Sequence, residues 1–388
     1  MRRLLFAVVM FAAALVPATA TTATPPIQIR TELPSWLAPG GRLSISGFAA
    51  SHVRVVLRAN GRAIAAVASG QLGRFGFHVR APVAGRYRVS IRAGAATADA
   101  GMLTVRPLEL AAVGDITPGE QVGPAVLAYG TAFPWSDVGA LLAGADLTTG
   151  NLEGAITTRG TAAPDKQYHF RGPIGLLTGA RATAGIDVLT LANNHTLDYG
   201  ELGLRDTLAA AARSGIATVG AGVTSTAARR PSLFETGGLR IAFVGYSDVN
   251  PLGFKATDGT PGTATASAYA IAADVGSARR IADVVVCWFH WGIELHATPD
   301  AQQLSLAATA LNAGAQVVLG AHPHVFGGII RPTKTTLVAW TLGNFVFPAG
   351  GGAATRSGVL LVGLGAHGVL SSRVVPALSG VRPTLRGR

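Results

Sequence analysis

Two periodicities divide the chain near residue 107. Before it, apolar and polar residues alternate in short runs. Val53, Val55 and Leu57 alternate with Arg54 and Arg58, and Phe75, Phe77 and Val79 follow the same period. Tyr87, Val89 and Ile91 alternate with Arg86, Arg88, Ser90 and Arg92. A period of two marks half-buried strands. Asn60-Gly61, set between two such runs, is the dipeptide of a two-residue hairpin turn. Residues 27–106 therefore read as a small all-β sandwich of immunoglobulin-like type.

After Pro107 the apolar runs become continuous and alternate with helical stretches. Buried strands are expected at Leu108–Val113, Ile186–Ala192, Ile241–Val244, Val284–Phe289, Val317–Leu319 and Leu337–Trp340, with closing strands at Gly358–Gly363 and Ser372–Pro376. Helices are expected at Glu201–Arg213, with Leu204, Leu208 and Ala212 on one face, and at Gln302–Leu311. This alternation predicts an α/β layered domain over residues 107–388.

The N-terminus changes the picture of where the chain works. Arg2 and Arg3, the apolar run Leu4–Val16 and the small residues Ala18-Thr19-Ala20 have the layout of a signal peptide, placed at residues 1–20. The run is shorter than the roughly 20 residues that span a bilayer. Residues 21–26 read as a linker. The expectation is an exported chain, extracellular or in the cell envelope, and membrane-anchored if the signal is kept. Cys287, the only cysteine, lies in an apolar run and reads as a buried structural thiol.

Charge is unevenly spread. Of the formal +12, residues 21–106 carry eleven arginines against Glu32 and Asp99, and the remainder of the chain is nearly balanced. Arg86, Arg88 and Arg92 share the outward face of one strand. That face is either a binding surface for an anionic polymer or lipid, or a solvating surface in a chain with only three lysines. Nucleic acid is not expected as a partner.

Several expected strands end in a residue able to bind a ligand, where the loops of α/β domains converge. That rim gathers Asp115, Glu153, Asn194, His195, His290, His322 and His324. Carboxylates, an amide and imidazoles without a thiolate suit Mn, Fe, Zn or Mg. In His322-Pro323-His324, a continued extended backbone would make the two imidazoles diverge, each toward a different metal.

These residues stand in the segments Gly114-Asp115-Ile116-Thr117-Pro118-Gly119, Asn151-Leu152-Glu153, Ala192-Asn193-Asn194-His195 with Asp198-Tyr199-Gly200, and His290-Trp291-Gly292 with Glu294. Gly320-Ala321-His322-Pro323-His324-Val325, Gly343-Asn344-Phe345 and Lys166-Gln167-Tyr168-His169-Phe170-Arg171 complete the series. In this order the chain resembles the CapA family, named for poly-γ-glutamate capsule synthesis and similar to the calcineurin-like metallophosphoesterases. The resemblance covers about residues 110 to 365.

The resemblance implies a four-layer αββα sandwich holding two divalent metal ions. Asp115 and His324 would bind the first and Asn194, His290 and His322 the second, with Glu153 bridging. His195 would act as the catalytic acid, oriented by Asp198, and Lys166, Arg171 and Glu294 would contact substrate. Phosphoesterases of this type carry Asp-x-His in the first motif and a bridging Asp. Here Thr117 and Glu153 stand in those places, so the first metal site is expected to be the weaker. The activity implied is metal-dependent hydrolysis, of the phosphoesterase type, linked to synthesis of an anionic surface polymer. The alternative is a non-catalytic partner that binds or helps export such a polymer alongside the envelope synthesis machinery.

Overall fold

The computed structural model describes residues 26–348 and 350–386. The expected signal peptide and all of the expected linker but Pro26 lie outside them. The chain forms two compact units, one from residues up to Glu32, Ile45–Phe77 and Arg88–Gly101, the other from Leu33–Ser44, His78–Tyr87 and Met102–Arg388.

In the smaller unit the alternating residues do what their period requires. Val55, Leu57, Phe75, Phe77, Val89 and Ile91 are buried, while Arg58 and its polar neighbours face outward or lie at the margin. Strand Arg54–Ala59 pairs antiparallel with Arg62–Ala68, and Asn60 and Gly61 turn between them at φ 46° and 77°. Both central residues of this turn type need positive φ, which Asn and Gly tolerate. Arg88 and Arg92 are exposed, and Arg88 pairs with Asp99 at 2.7 Å.

The larger unit is a mixed α/β fold dominated by two sheets. The first runs in the order Ala217–Val219, Val188–Thr190, Leu147–Leu152, Leu108–Ile116, Arg356–Gly365, Gly368–Leu378, Thr384–Leu385, with Asn344–Val346 also pairing Leu108–Ile116. The second runs Ser232–Thr236, Leu239–Ser247, Val284–His290, Val317–Ala321, Leu337–Ala339, Ile329–Ile330. Three apolar cores set the layers. The middle one joins Leu108, Leu110 and Ala112 of the first sheet to Phe243, Val286, Trp288 and Leu319 of the second. The outer ones pack helices Gly175–Ala184 and Gly200–Arg213 on the first sheet, and Ala268–Ile281 and Ala301–Asn312 on the second. The central strands are apolar on both faces because both faces are covered.

Helix Ala301–Asn312 begins at a reciprocal cap in which Asp300 and Gln303 satisfy each other's backbone N–H. Helix Gly200–Arg213 buries Gly203, Leu204, Thr207, Ala210 and Ala211. Leu208 packs partly buried against the same core, as expected, whereas Ala212 is exposed and Thr207 is buried, accepting a hydrogen bond from Ile156 N at 2.9 Å.

Strand Val188–Thr190 is shorter than expected, since the chain leaves the ladder to form the Asn193–His195 turn. Gly114 lets the Asn344–Val346 strand approach. A Cβ there would lie 1.8 Å from Gly343 O, and Asp115 N donates to that oxygen at 2.8 Å.

Candidate metal centre

Parallel pairing aligns the strand ends. Asp115 lies opposite Asn151 and Asn344, and His290 lies opposite Ala321. Glu153 follows Leu147–Leu152 directly, and His322 follows Val317–Ala321 directly. Residues far apart in sequence thus reach one rim.

Three sets of side chains come within ligand-sharing range: Glu153, His290 and His322; Asp115, Glu153 and His324; and Glu294, His322 and His324. Glu153 belongs to the first two. Its Oε1 lies 3.5 Å from His290 Nε2 and 3.9 Å from His324 Nε2. Asp115 Oδ2 lies 3.4 Å from His324 Nδ1. Asn194 Oδ1 lies 2.8 Å from His290 Nε2.

The backbone at His322 and His324 is not the extended one expected. Both have positive φ, 95° and 58°, a costly region for a residue with a Cβ. The ring centroids lie 6.0 Å apart, and the two rings share Glu153 and Glu294, while Asp115 is grouped with His324 alone.

The donor set fits a divalent cation on a physical ground. Asp115 Oδ2, both Glu153 oxygens and His322 Nδ1 are buried without a hydrogen-bond partner. Leaving buried carboxylate oxygens unsatisfied is expensive. A cation is the ligand such oxygens lack, and no thiolate biases the choice toward soft metals.

Charge on the ligands follows the same crowding. Burial, reinforced by the Asp115 charge, pushes the Glu153 carboxyl well above the usual range. Burial opposes a charge on His324, but Glu153 and Asp115 outweigh it and push its pKa up to about 10. Burial, then the neighbouring His324, lowers His322 to about 4. Burial likewise holds His290 well below its ordinary value, with His322 adding to the effect.

Beside this cluster lies a second one built on Asp198. Its Oδ2 accepts from His195 Nδ1 at 2.7 Å and from Phe170 N at 2.6 Å, and its Oδ1 accepts from Lys166 Nζ. Lys166 Nζ also donates to Asn194 O and lies 3.3 Å from His195 Nδ1. The Phe170 ring packs against the His195 ring, 4.3 Å apart between centroids. Burial lowers the pKa of His195, partly countered by Asp198. With Nδ1 donating to Asp198, the neutral ring keeps Nε2 for proton exchange.

Lys166 is thus engaged by protein groups. Arg171 is exposed, with its guanidinium over the Tyr199 ring at 4.4 Å. Thr117 is buried and accepts from Gly119 N at 3.2 Å. Cys287, Trp288 and Trp291 are buried in the cores.

Three asparagines without an assigned role in the sequence hold the ligands in place. Asn151 Nδ2 donates to Asp115 Oδ1 at 2.8 Å and lies 3.4 Å from His290 Nδ1. Asn193 Nδ2 donates to Asn151 Oδ1 at 3.0 Å and to Leu152 O at 2.8 Å. Asn344 Oδ1 lies 2.9 Å from His324 Nδ1. Their adjacency to ligand-type residues within the same short segments was the available signal. Such partners orient metal ligands and tune their basicity.

Residues 109–349 match the family described as bacterial capsule synthesis protein PGA_cap. The chain is 34% identical over 243 residues to the PGA biosynthesis protein CapA of Bacillus subtilis, covering 61% of this chain and 63% of that protein. It is 31% identical over 276 residues to the capsule biosynthesis protein CapA of Bacillus anthracis, covering 69% and 67%. A probable polyglutamine synthesis accessory protein of Mycobacterium tuberculosis is 33% identical over 208 residues, 50% of this chain and 54% of that protein. The match therefore spans somewhat over half to two thirds of each relative. Among solved structures, a 5'-nucleotidase precursor from Thermus thermophilus overlaps 72% of this chain and 54% of that chain, at 16% identity and a TM-score of 0.40.

Proposed function

This chain belongs to the PGA_cap family of bacterial capsule synthesis proteins, and from that premise we propose that it is an exported metal-dependent hydrolase of the metallophosphoesterase type. In this reading it serves the synthesis of an anionic surface polymer such as poly-γ-glutamate, as the names of its relatives suggest. The observation that carries the reading is Glu153, fully buried with neither oxygen hydrogen-bonded and shared by two ligand sets.

Asp115 and His324 would hold one cation, Asn194, His290 and His322 a second, and Glu153 both. Bound divalent cations supply Lewis-acid chemistry and make water a usable nucleophile at neutral pH. The chain's own residues do the rest. Asp198 holds the His195 tautomer, so that Nε2 can take up a proton from water and pass that proton on to the departing oxygen. Lys166 supplies the counter-charge to Asp198 and ties down the Asn194 backbone. Arg171, which has no carboxylate partner among the described residues, takes an anionic group of the substrate. Glu294 contacts substrate or lends a carboxylate to His322 and His324.

The test begins with elemental analysis of protein loaded with Mn or Zn, beside Glu153→Gln. Phosphomonoesters and phosphodiesters are then assayed against a His195→Ala control. Metal loading with turnover lost in the control supports the reading; turnover equal in both sinks the hydrolase.

A second reading, a non-catalytic polymer-binding partner in export or synthesis, is favoured by the donor set at Asp115. It holds one imidazole, with Thr117 where phosphoesterases place another. That reading expects polymer binding without turnover. The small arginine-rich unit, proposed as immunoglobulin-like, would add a salt-sensitive contact to the polymer in either case.

A further inference from the structure

A cavity of ≈ 510 Å³ is lined in part by residues next in sequence to the candidate ligands, though by none of the ligands themselves. Leu295, Val325, Phe326, Ser357, Arg356 and Arg386 are among its lining residues. Leu295 follows Glu294, and its N–H donates to Pro323 O at 2.8 Å, between the two histidines. Val325 follows His324. Ser357 Oγ donates to the backbone oxygen of Asn344, whose side chain touches His324. Whatever fills the cavity therefore lies against the ligand loops.

Its charge is one-sided. Arg356 and Arg386 are exposed, no carboxylate lines the cavity, and neither guanidinium has an ion-pair partner among the described residues. Several other arginines of the same unit are matched, Arg42 and Arg80 to Asp283, Arg106 to Asp146 and Arg229 to Asp274, whereas Arg171 and Arg331 share the lack of a carboxylate partner among the described residues. Guanidinium forks suit carboxylates, and the Leu295, Val325 and Phe326 wall suits methylene groups. A bare phosphate would use the forks and leave the wall idle.

We propose that this cavity is a binding groove for a polyanionic chain whose carboxylates are separated by aliphatic spacers, feeding it past the metal centre. The proposal rests on the functional reading above and deepens it.

The probe is a fluorescent γ-linked glutamate oligomer of roughly eight residues, longer when extended than the roughly 28 Å of an ordinary eight-residue peptide, because each γ-linked residue adds two further backbone carbons. Its binding to the metal-loaded full chain is followed by anisotropy at low and moderate salt. Arg356→Gln and Arg386→Gln should each weaken binding about tenfold, as loss of a charge-assisted hydrogen bond does, and together reduce the salt dependence. Both side chains are exposed, so folding is not at stake. Arg280→Gln, exposed on helix Ala268–Ile281 of the larger unit and outside the cavity lining, is the control.

Unchanged binding in the double variant overturns the proposal. So does an equal loss in Arg280→Gln, or competition by inorganic phosphate as effective as by the unlabelled oligomer. Metal content is measured on the same samples. Full loading with arginine-independent binding sinks the groove alone. Absent loading with arginine-dependent binding sinks the metal reading alone.

Discussion

Asp198 and Glu153 are both fully buried, and the protein treats them in opposite ways. Asp198 is saturated. A lysine, an imidazole and a backbone N–H meet its two oxygens. Glu153 has neighbours of the right kind at 3.5 to 3.9 Å and no hydrogen bond at all. A saturated carboxylate holds its surroundings in place, whereas an unsaturated one among imidazoles is built for a ligand that is not part of the chain. The contrast separates the groups that position from the groups that bind, although both sets come from strand-end loops.

The largest effect should come from breaking the saturated cluster. Asp198→Ala leaves Lys166 charged, 11% exposed and without its counter-ion. Loss of one partner of a buried pair costs about 3–5 kcal/mol, readable as a drop in the denaturant midpoint. A loss under about 1 kcal/mol would mean that water rescues Lys166 and the contrast is overstated.

Glu153→Gln should do the reverse. It removes a buried, unpaired carboxylate, so the metal-free protein should keep or gain stability. Apparent metal affinity should fall beyond the roughly 10–100-fold that loss of an outer partner causes. Calorimetric titration with Mn or Zn checks the second point and thermal unfolding in chelator the first. Unchanged affinity would remove Glu153 from the centre.

The pH dependence should be next in size. In the metal-free fold His324 is raised from 6.5 to about 10, so its contribution is complete below pH 6.5 and is lost as pH rises toward 10. The raised Glu153 works in the same direction. Metal-free stability should therefore decline across that window, and metal should reverse the decline. Loading the Asp115–Glu153–His324 set at neutral pH should release a proton, with affinity rising about tenfold per pH unit. The imidazoles of His290 and His322 are already neutral there and add no such slope. Proton release independent of a His324→Gln change would refute the assignment.

The smallest effect should follow Glu201→Ala, which breaks only the exposed pair with Arg205 on helix Gly200–Arg213. A shift within about 0.5 kcal/mol is expected in stability, and none in metal content.

Much of this could be read along the chain because it is local. A continuous apolar run that stops at Asp115, His290 or Ala321-His322 announces both a covered strand and a ligand at its end. The helix Ala301–Asn312 was legible to within one residue at each end, as Gln302–Leu311. Other features had no local signature. That Thr207 is buried and Ala212 exposed on one helix goes with a hydrogen bond to Ile156, in a different element. Lys166 reads as a substrate contact until Asp198 is seen to hold it. Arg356 and Arg386 stand thirty residues apart in strand and tail, with nothing in either segment to link them to a common wall.

The amino-acid order alone marked many of the buried strands and two of the helices, though not helices Gly175–Ala184 and Ala268–Ile281 or strand Leu147–Leu152, and it marked the candidate ligands and the family the chain resembles, because these depend on short-range periodicity and residue chemistry. Only the tertiary structure decided which of those polar groups satisfy one another and which are left unsatisfied. That outcome depends on distances of a few ångströms between residues of different segments, and on whether water can reach them.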